Sequence, residues 1–168
     1  MYFAIAGVLA DVAAYKWGDR KNWRQYYPTI LFVIMGNMTS ELLAYRTPLW
    51  EYGDVFGDYM IMMIGLMVLM FPGMVILFLS RYPQRPARQA LYVLAWAAGF
   101  TLLEYLSMRG QLFLHHRGWN IWYTLAHNLV MFPLMRLHYK KPLLAWAASF
   151  AVAFLVLLHF KLPFEIVR

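Results

Sequence analysis

The chain has no cysteine. Disulfides, a thiolate nucleophile and thiolate metal sites are therefore all excluded. Charge is scarce as well. Asp, Glu, Lys and Arg make up 14% of the 168 residues, against about 25% in an ordinary soluble domain. No loop is long enough to fold separately, so residues 1–168 read as a single polytopic membrane domain. No phosphate loop, dinucleotide glycine pattern, HExxH helix or Ser-His-Asp order is present. Nothing in the chain announces an enzyme, and no cofactor is implied.

What is present is apolar. Hydrophobic residues account for 62% of the chain, arranged in long runs between short charged loops, the pattern of bilayer-spanning helices. Six spans are expected, near 1–15, 29–45, 59–79, 89–108, 119–137 and 143–160, giving an all-α integral membrane protein. The first stretch, MYFAIAGVLADVAAY, lacks the basic start of a cleavable signal and is followed by positive charge, so it reads as a retained helix. At about 1.5 Å per residue it is short for a bilayer core. Its Asp11 is expected to snorkel or to pair with Lys16 or Arg20. Pro28 is expected to open helix two, and Pro72-Gly73 to kink helix three.

The formal net charge of +7 invites a nucleic-acid reading, but its distribution argues for a membrane. Ten of the fifteen basic residues (Lys16, Arg20, Lys21, Arg24, Arg81, Arg85, Arg88, Arg136, Lys140, Lys141) fall at the first, third and fifth loops. Arg46, Arg109, Arg117, Lys161 and Arg168 fall on the alternate side. Positive charge collects in the cytoplasm, which puts both termini outside. The partners on this reading are membrane lipids, a small solute or ion, and an open option of homo-oligomerisation, with no nucleic acid.

Two segments echo one another. Residues 36–46 (GNMTSELLAYR) and 99–109 (GFTLLEYLSMR) both fit Gly-x4-Glu-x4-Arg, and Met-Phe-Pro follows each at 70–72 and 131–133. Helices two and three would then be repeated, in parallel, as helices four and five. Helix six opens with LAWAASF, close to the LAWAAGF of helix four, but Phe154 stands where Glu104 stands.

Ionisable groups within a membrane are costly, which makes Glu41 and Glu104 the residues to watch. Asn37 lies one turn before Glu41, and Thr101 three residues before Glu104, each pair on one helix face. Asn120, Thr124, His127 and Asn128 form a matching stripe on helix five. Helices two, four and five are therefore expected to enclose a polar interior near the outer side, serving either transport or packing. Two close carboxylates would raise at least one pKa. Arg46 and Arg109 are each turned about 140° from their Glu. With Arg117 they are expected to reach lipid phosphate or the outer loops. His115 and His116, near Asp54 and Asp58, form a weak zinc pattern without diagnostic spacing, so no metal is assigned. The methionines of helix three (Met60, Met62, Met63, Met67, Met70) read as adaptable packing.

The strings KWGDRKNWRQYYPTILF, LWEY, GWNIW and MFPLMRLHYKKPLLAW resemble a family of small multi-pass membrane proteins of spore-forming Gram-positive bacteria, named after a clostridial hypothetical protein. The resemblance runs from Lys16 to about Pro163. It implies a multi-pass protein of the bacterial plasma membrane and carries no catalytic residue with it. The leading functional expectation is a small transporter or channel-like protein. The rivals are an outer-leaflet lipid-modifying enzyme, with Glu104 or His127 as base, and a non-catalytic assembly or sensor subunit.

Overall fold

The computed structural model describes residues 11–53 and 63–162. Most of the expected first helix, Asp54, Asp58, Met60, Met62 and the tail from 163 lie outside the described residues. Within them the chain forms six helices: α1 (11–17), α2 (Trp23–Leu43), α3 (Met63–Ser80), α4 (Pro86–Arg109), α5 (Ile121–Lys140) and α6 (Pro142–His159). Three of them, α3, α4 and α6, are long and apolar enough to cross a membrane. Helices α2 and α5 have the length, at 21 and 20 residues, but more polar residues are interspersed along them.

Two sequence expectations change. Helix α2 begins at Trp23, and Pro28 lies inside it rather than at its start. Residues 23–28, expected to lie between the first two spans, belong to the helix: Tyr26 is buried on one side with Thr29 and Ile30, at the i, i+3, i+4 spacing of an amphipathic helix. The all-α reading also needs amending. Two three-residue strands, β1 (Trp50–Tyr52) and β2 (Phe113–His115), pair antiparallel, with Glu51 facing Leu114. They lie in what were expected to be plain loops.

The helix ladder of α3 is irregular next to its proline. Leu66–Met70 is a π-helical segment immediately before Phe71-Pro72. Pro72 cannot donate to the turn before it and crowds that carbonyl, so the ladder widens there. The backbone N–H of nearby Gly73 bonds to the Asp11 carboxylate. Asp11 is thus tied to α3.

Helix α5 is central and packs against α2, α4 and α6. Its buried residues are Thr124, Asn128, Phe132, Met135 and His138, one stripe at spacings of three and four. The stripe is polar at both ends and dry in the middle. Its middle joins the main core, where Phe78 is fully buried among the rings of Tyr82, Tyr92, Trp96 and Phe132 at 5.0–5.6 Å between centroids. At the His138 end, the first, third and fifth loops meet. The Arg81 Nε–H donates to the Trp17 carbonyl at 2.7 Å, Tyr26 stacks on Tyr139, and the Arg136 guanidinium sits 4.7 Å from the Tyr82 ring centre. The strand ladder lies at the opposite end.

The glycines of the echoing segments have no packing role here. A Cβ on Gly36 or Gly99 would meet nothing within 4 Å.

Candidate functional site

Ladder geometry determines what faces the helices. Side chains alternate along a strand. With Trp50 opposite His115 and Tyr52 opposite Phe113, those four share one face, while Glu51 and Leu114 share the other. Phe113 is buried and Leu114 exposed, so the first face is the one turned to the bundle. It packs with Met70 and Phe71 in the middle of α3 and with Phe100 and Leu103 of α4. Residues flanking β2 have positive φ, Gln111 at 58° and Arg117 at 52°, and these corners fold the strand back over the helix ends.

Beneath this face is a hydrogen-bonded polar cluster centred on Glu104. His115 Nε2 lies 2.7 Å from Glu104 Oε1. A carboxylate oxygen only accepts, so the imidazole proton is on Nε2. The Thr124 hydroxyl donates to the same oxygen and itself accepts from the Trp119 Nε1–H at 3.0 Å. One helical turn deeper, Asn128 Nδ2 donates to Thr101 Oγ1 at 3.2 Å, and the Thr101 hydroxyl donates to the Ala97 carbonyl at 2.7 Å. Only 7% of the His115 side chain and 17% of the Glu104 side chain reach the surface.

Tyr52 joins the two carboxylate-bearing helices. Burial, and then the charges of Glu41 and Glu104, push its phenol above the ordinary tyrosine range. Both glutamates therefore lie within electrostatic range of one partly buried ring. Glu41 is partly buried, with Oε1 shut off from the surface. Asn37 is partly buried one turn earlier on α2, where its backbone carbonyl accepts the Ser40 hydroxyl.

Of the residues picked out from sequence, the structure brings together Glu104, Thr101, Thr124 and Asn128, with Glu41 reaching the same region through Tyr52. Two others go elsewhere. Asn120 is the N-cap of α5: its side-chain oxygen accepts the Trp122 backbone N–H at 3.0 Å, and the residue is exposed. Capping is the common use of Asn at a helix start, so it is not part of the interior stripe. His127 sits at the bundle surface with its ring beside Trp50 and Trp119, 6.1 and 6.2 Å between centroids. Thr124 and Asn128 are directed inward by the buried stripe they share with Phe132, and His127 is rotated about 100° from Asn128.

Arg46, Arg109 and Arg117 are all exposed at the ladder end, beside their carboxylate-bearing helices rather than inside the cluster. His116 pairs with Glu51 at 2.8 Å, on a half-exposed surface. His115 and His116 thus take separate carboxylates. Among the described residues no three His, Asp or Glu side chains converge as a metal site.

Sequence reasoning missed His115, Tyr52 and Trp119 as members of the cluster: Tyr52 and His115 fall in expected loops, and Trp119, expected to open the fifth span, lies just before α5. It also missed a buried pair at the far end of α5, where His138 Nδ1 lies 3.1 Å from Thr29 Oγ1 with its ring stacked on Phe32. The one available signal was the continuation of the Thr124–Asn128 spacing through Phe132 and Met135 to His138. No family model, curated protein or solved structure matches the chain.

Proposed function

We propose that this is a six-span protein of the bacterial plasma membrane with both termini outside. In this reading the outer half of the bundle contains a carboxylate-lined polar interior through which a proton, cation or small solute passes. The supporting observation is the convergence on Tyr52 of two carboxylates from different helices, Glu41 and Glu104, one of them bonded to a nearly buried histidine. Ionisable groups at this depth of a bundle are expensive and commonly mark ion or proton routes. The Lys/Arg bias, together with the meeting of the basic loops at the end away from the ladder, supports the orientation. The α2–α3 and α4–α5 pairs carry the echoing segments, which accords with a parallel duplication.

The Glu104–His115 pair suits proton or cation handling, because a carboxylate and an imidazole in direct contact can each take up and release a proton, and the carboxylate can also hold a cation. The test is flux into vesicles holding the purified protein. Glu104→Gln keeps an acceptor oxygen for Thr124 and His115 and deletes only the charge. Loss of flux with retained folding supports the reading, and full flux refutes it.

A second reading is favoured by one specific observation. Glu104 already accepts hydrogen bonds from two side chains, as a packing carboxylate would in an assembly or sensor subunit. In that case Glu104→Gln leaves function intact, and only variants that remove the hydrogen bonds do damage.

A further inference from the structure

We propose that the β1–β2 ladder is the outer gate of the polar interior, closed in this structure and opening by separation of its two strands. This rests on the transport reading above and concerns how that site is reached. The ladder's inward face carries Tyr52 and His115; His115 is bonded directly to Glu104 at 2.7 Å, and Tyr52 lies within electrostatic range of Glu41 and Glu104. Anything approaching the carboxylates from the ladder end has to displace those two side chains. The two strands also belong to different helix pairs. β1 follows α2, which packs on α3, whereas β2 joins α4 to α5, which pack on each other. The pairs therefore meet in the ladder as well as along the α2–α5 contact.

The ladder is well formed but short. Three residue pairs are extended by the His116 N–H to the Leu49 carbonyl at 2.8 Å and the Gly53 N–H to the Leu112 carbonyl at 3.2 Å. Those two bonds fix the pattern: Leu49/His116 and Gly53/Leu112 are hydrogen-bonded pairs, and so is Glu51/Leu114 between them. The chain approaches so closely at Gly53 that a Cβ there would lie 2.1 Å from the Gln111 carbonyl oxygen. Local structures held by few hydrogen bonds, at the edge of a packed core, are the ones that open without global unfolding.

A disulfide between facing strand positions tests this directly, since the chain has no other cysteine. Glu51 and Leu114 face each other on the outward side. Hydrogen-bonded antiparallel pairs have Cα atoms about 5.5 Å apart, within disulfide range. The double variant Glu51→Cys/Leu114→Cys, in vesicles, is labelled at Glu104 with a water-soluble carbodiimide and an amine, and read by peptide mass spectrometry. The reduced form of the same protein is the control for folding. Labelling is expected to be about tenfold or more slower in the oxidised form, and to recover on reduction. Equal labelling in both forms overturns the gate, whatever the flux. If labelling depends on redox state while no form carries flux, the gate stands and the transport reading is lost. If labelling is equal while Glu104→Gln abolishes flux, the transport reading stands and the gate is lost.

Discussion

Thr124→Val is the perturbation that isolates the hydrogen bonding of the cluster. Valine fills nearly the same volume, and position 124 is buried at 3% exposure, so little packing is lost. What disappears is one hydroxyl with two tasks, donating to Glu104 and accepting from Trp119. Interhelical side-chain hydrogen bonds in membrane proteins average about 0.6 kcal/mol and reach about 1.7. Leaving the Trp119 N–H without its acceptor adds about 1–2 kcal/mol. The total is about 2–3 kcal/mol. For a chain of this length that lowers the midpoint of thermal unfolding by about 5–10 °C. Thr124→Ser keeps the hydroxyl and loses one methyl, about 1 kcal/mol. The assay is unfolding in mild detergent, followed by helical circular dichroism and by tryptophan fluorescence. Valine as stable as wild type, or serine as damaging as valine, would refute the claim that this hydroxyl links Trp119 to Glu104.

Three further outcomes are expected. A double-mutant cycle of His115→Phe with Glu104→Met, each of which removes one partner of the bond, should give a coupling of about 0.6–1.7 kcal/mol in the same unfolding assay, and additive single effects would mean that the 2.7 Å contact contributes nothing. Gly53→Ala should loosen the ladder, because the new methyl collides with the Gln111 carbonyl. Amide exchange should then quicken across 112–116 and remain unchanged across 72–79. Tyr52 sets the direction of an alkaline effect. Its phenol is raised in the folded state, so its contribution to stability is complete below the unfolded value of about 10 and is lost as pH rises above it. Tyr52→Phe should flatten that part of the decline, measured as the difference from wild type between pH 8 and 11.

The apolar helices and the grouping of polar residues around Glu104 were legible in the sequence because both depend on local pattern. Long apolar runs mark α3, α4 and α6 whatever they pack against. Glu104, Thr101, Thr124 and Asn128 could be grouped because helical spacing places each on a definite face. Other features depended on contacts distant in sequence. Three residues such as Trp50–Tyr52 are too few to show a strand period, and their partner is over 60 residues away, so the ladder was invisible. The rotation of α5 was ambiguous over 120–128 alone, and only the continuation through Phe132, Met135 and His138 separates Asn128 from His127. Asn120 fits a stripe and a cap equally well by spacing, and its extended backbone, with the side-chain oxygen accepting the Trp122 N–H, settles it as a cap. His115 was weighed as half of a metal-binding pair with His116. Neighbours in a strand point to opposite faces, however, and this divides the two histidines between Glu104 and Glu51.

The central claim is that Glu104 carries a charge that the protein uses, beyond the bonds it makes. The most direct measurement compares proton and alkali-cation flux in sealed vesicles containing wild type, Glu104→Gln or no protein, with an entrapped pH dye and an imposed ion gradient. The account predicts flux above the empty-vesicle level for wild type and none for Glu104→Gln, with both proteins unfolding within about 1 kcal/mol of each other. Equal flux from the two proteins would contradict it.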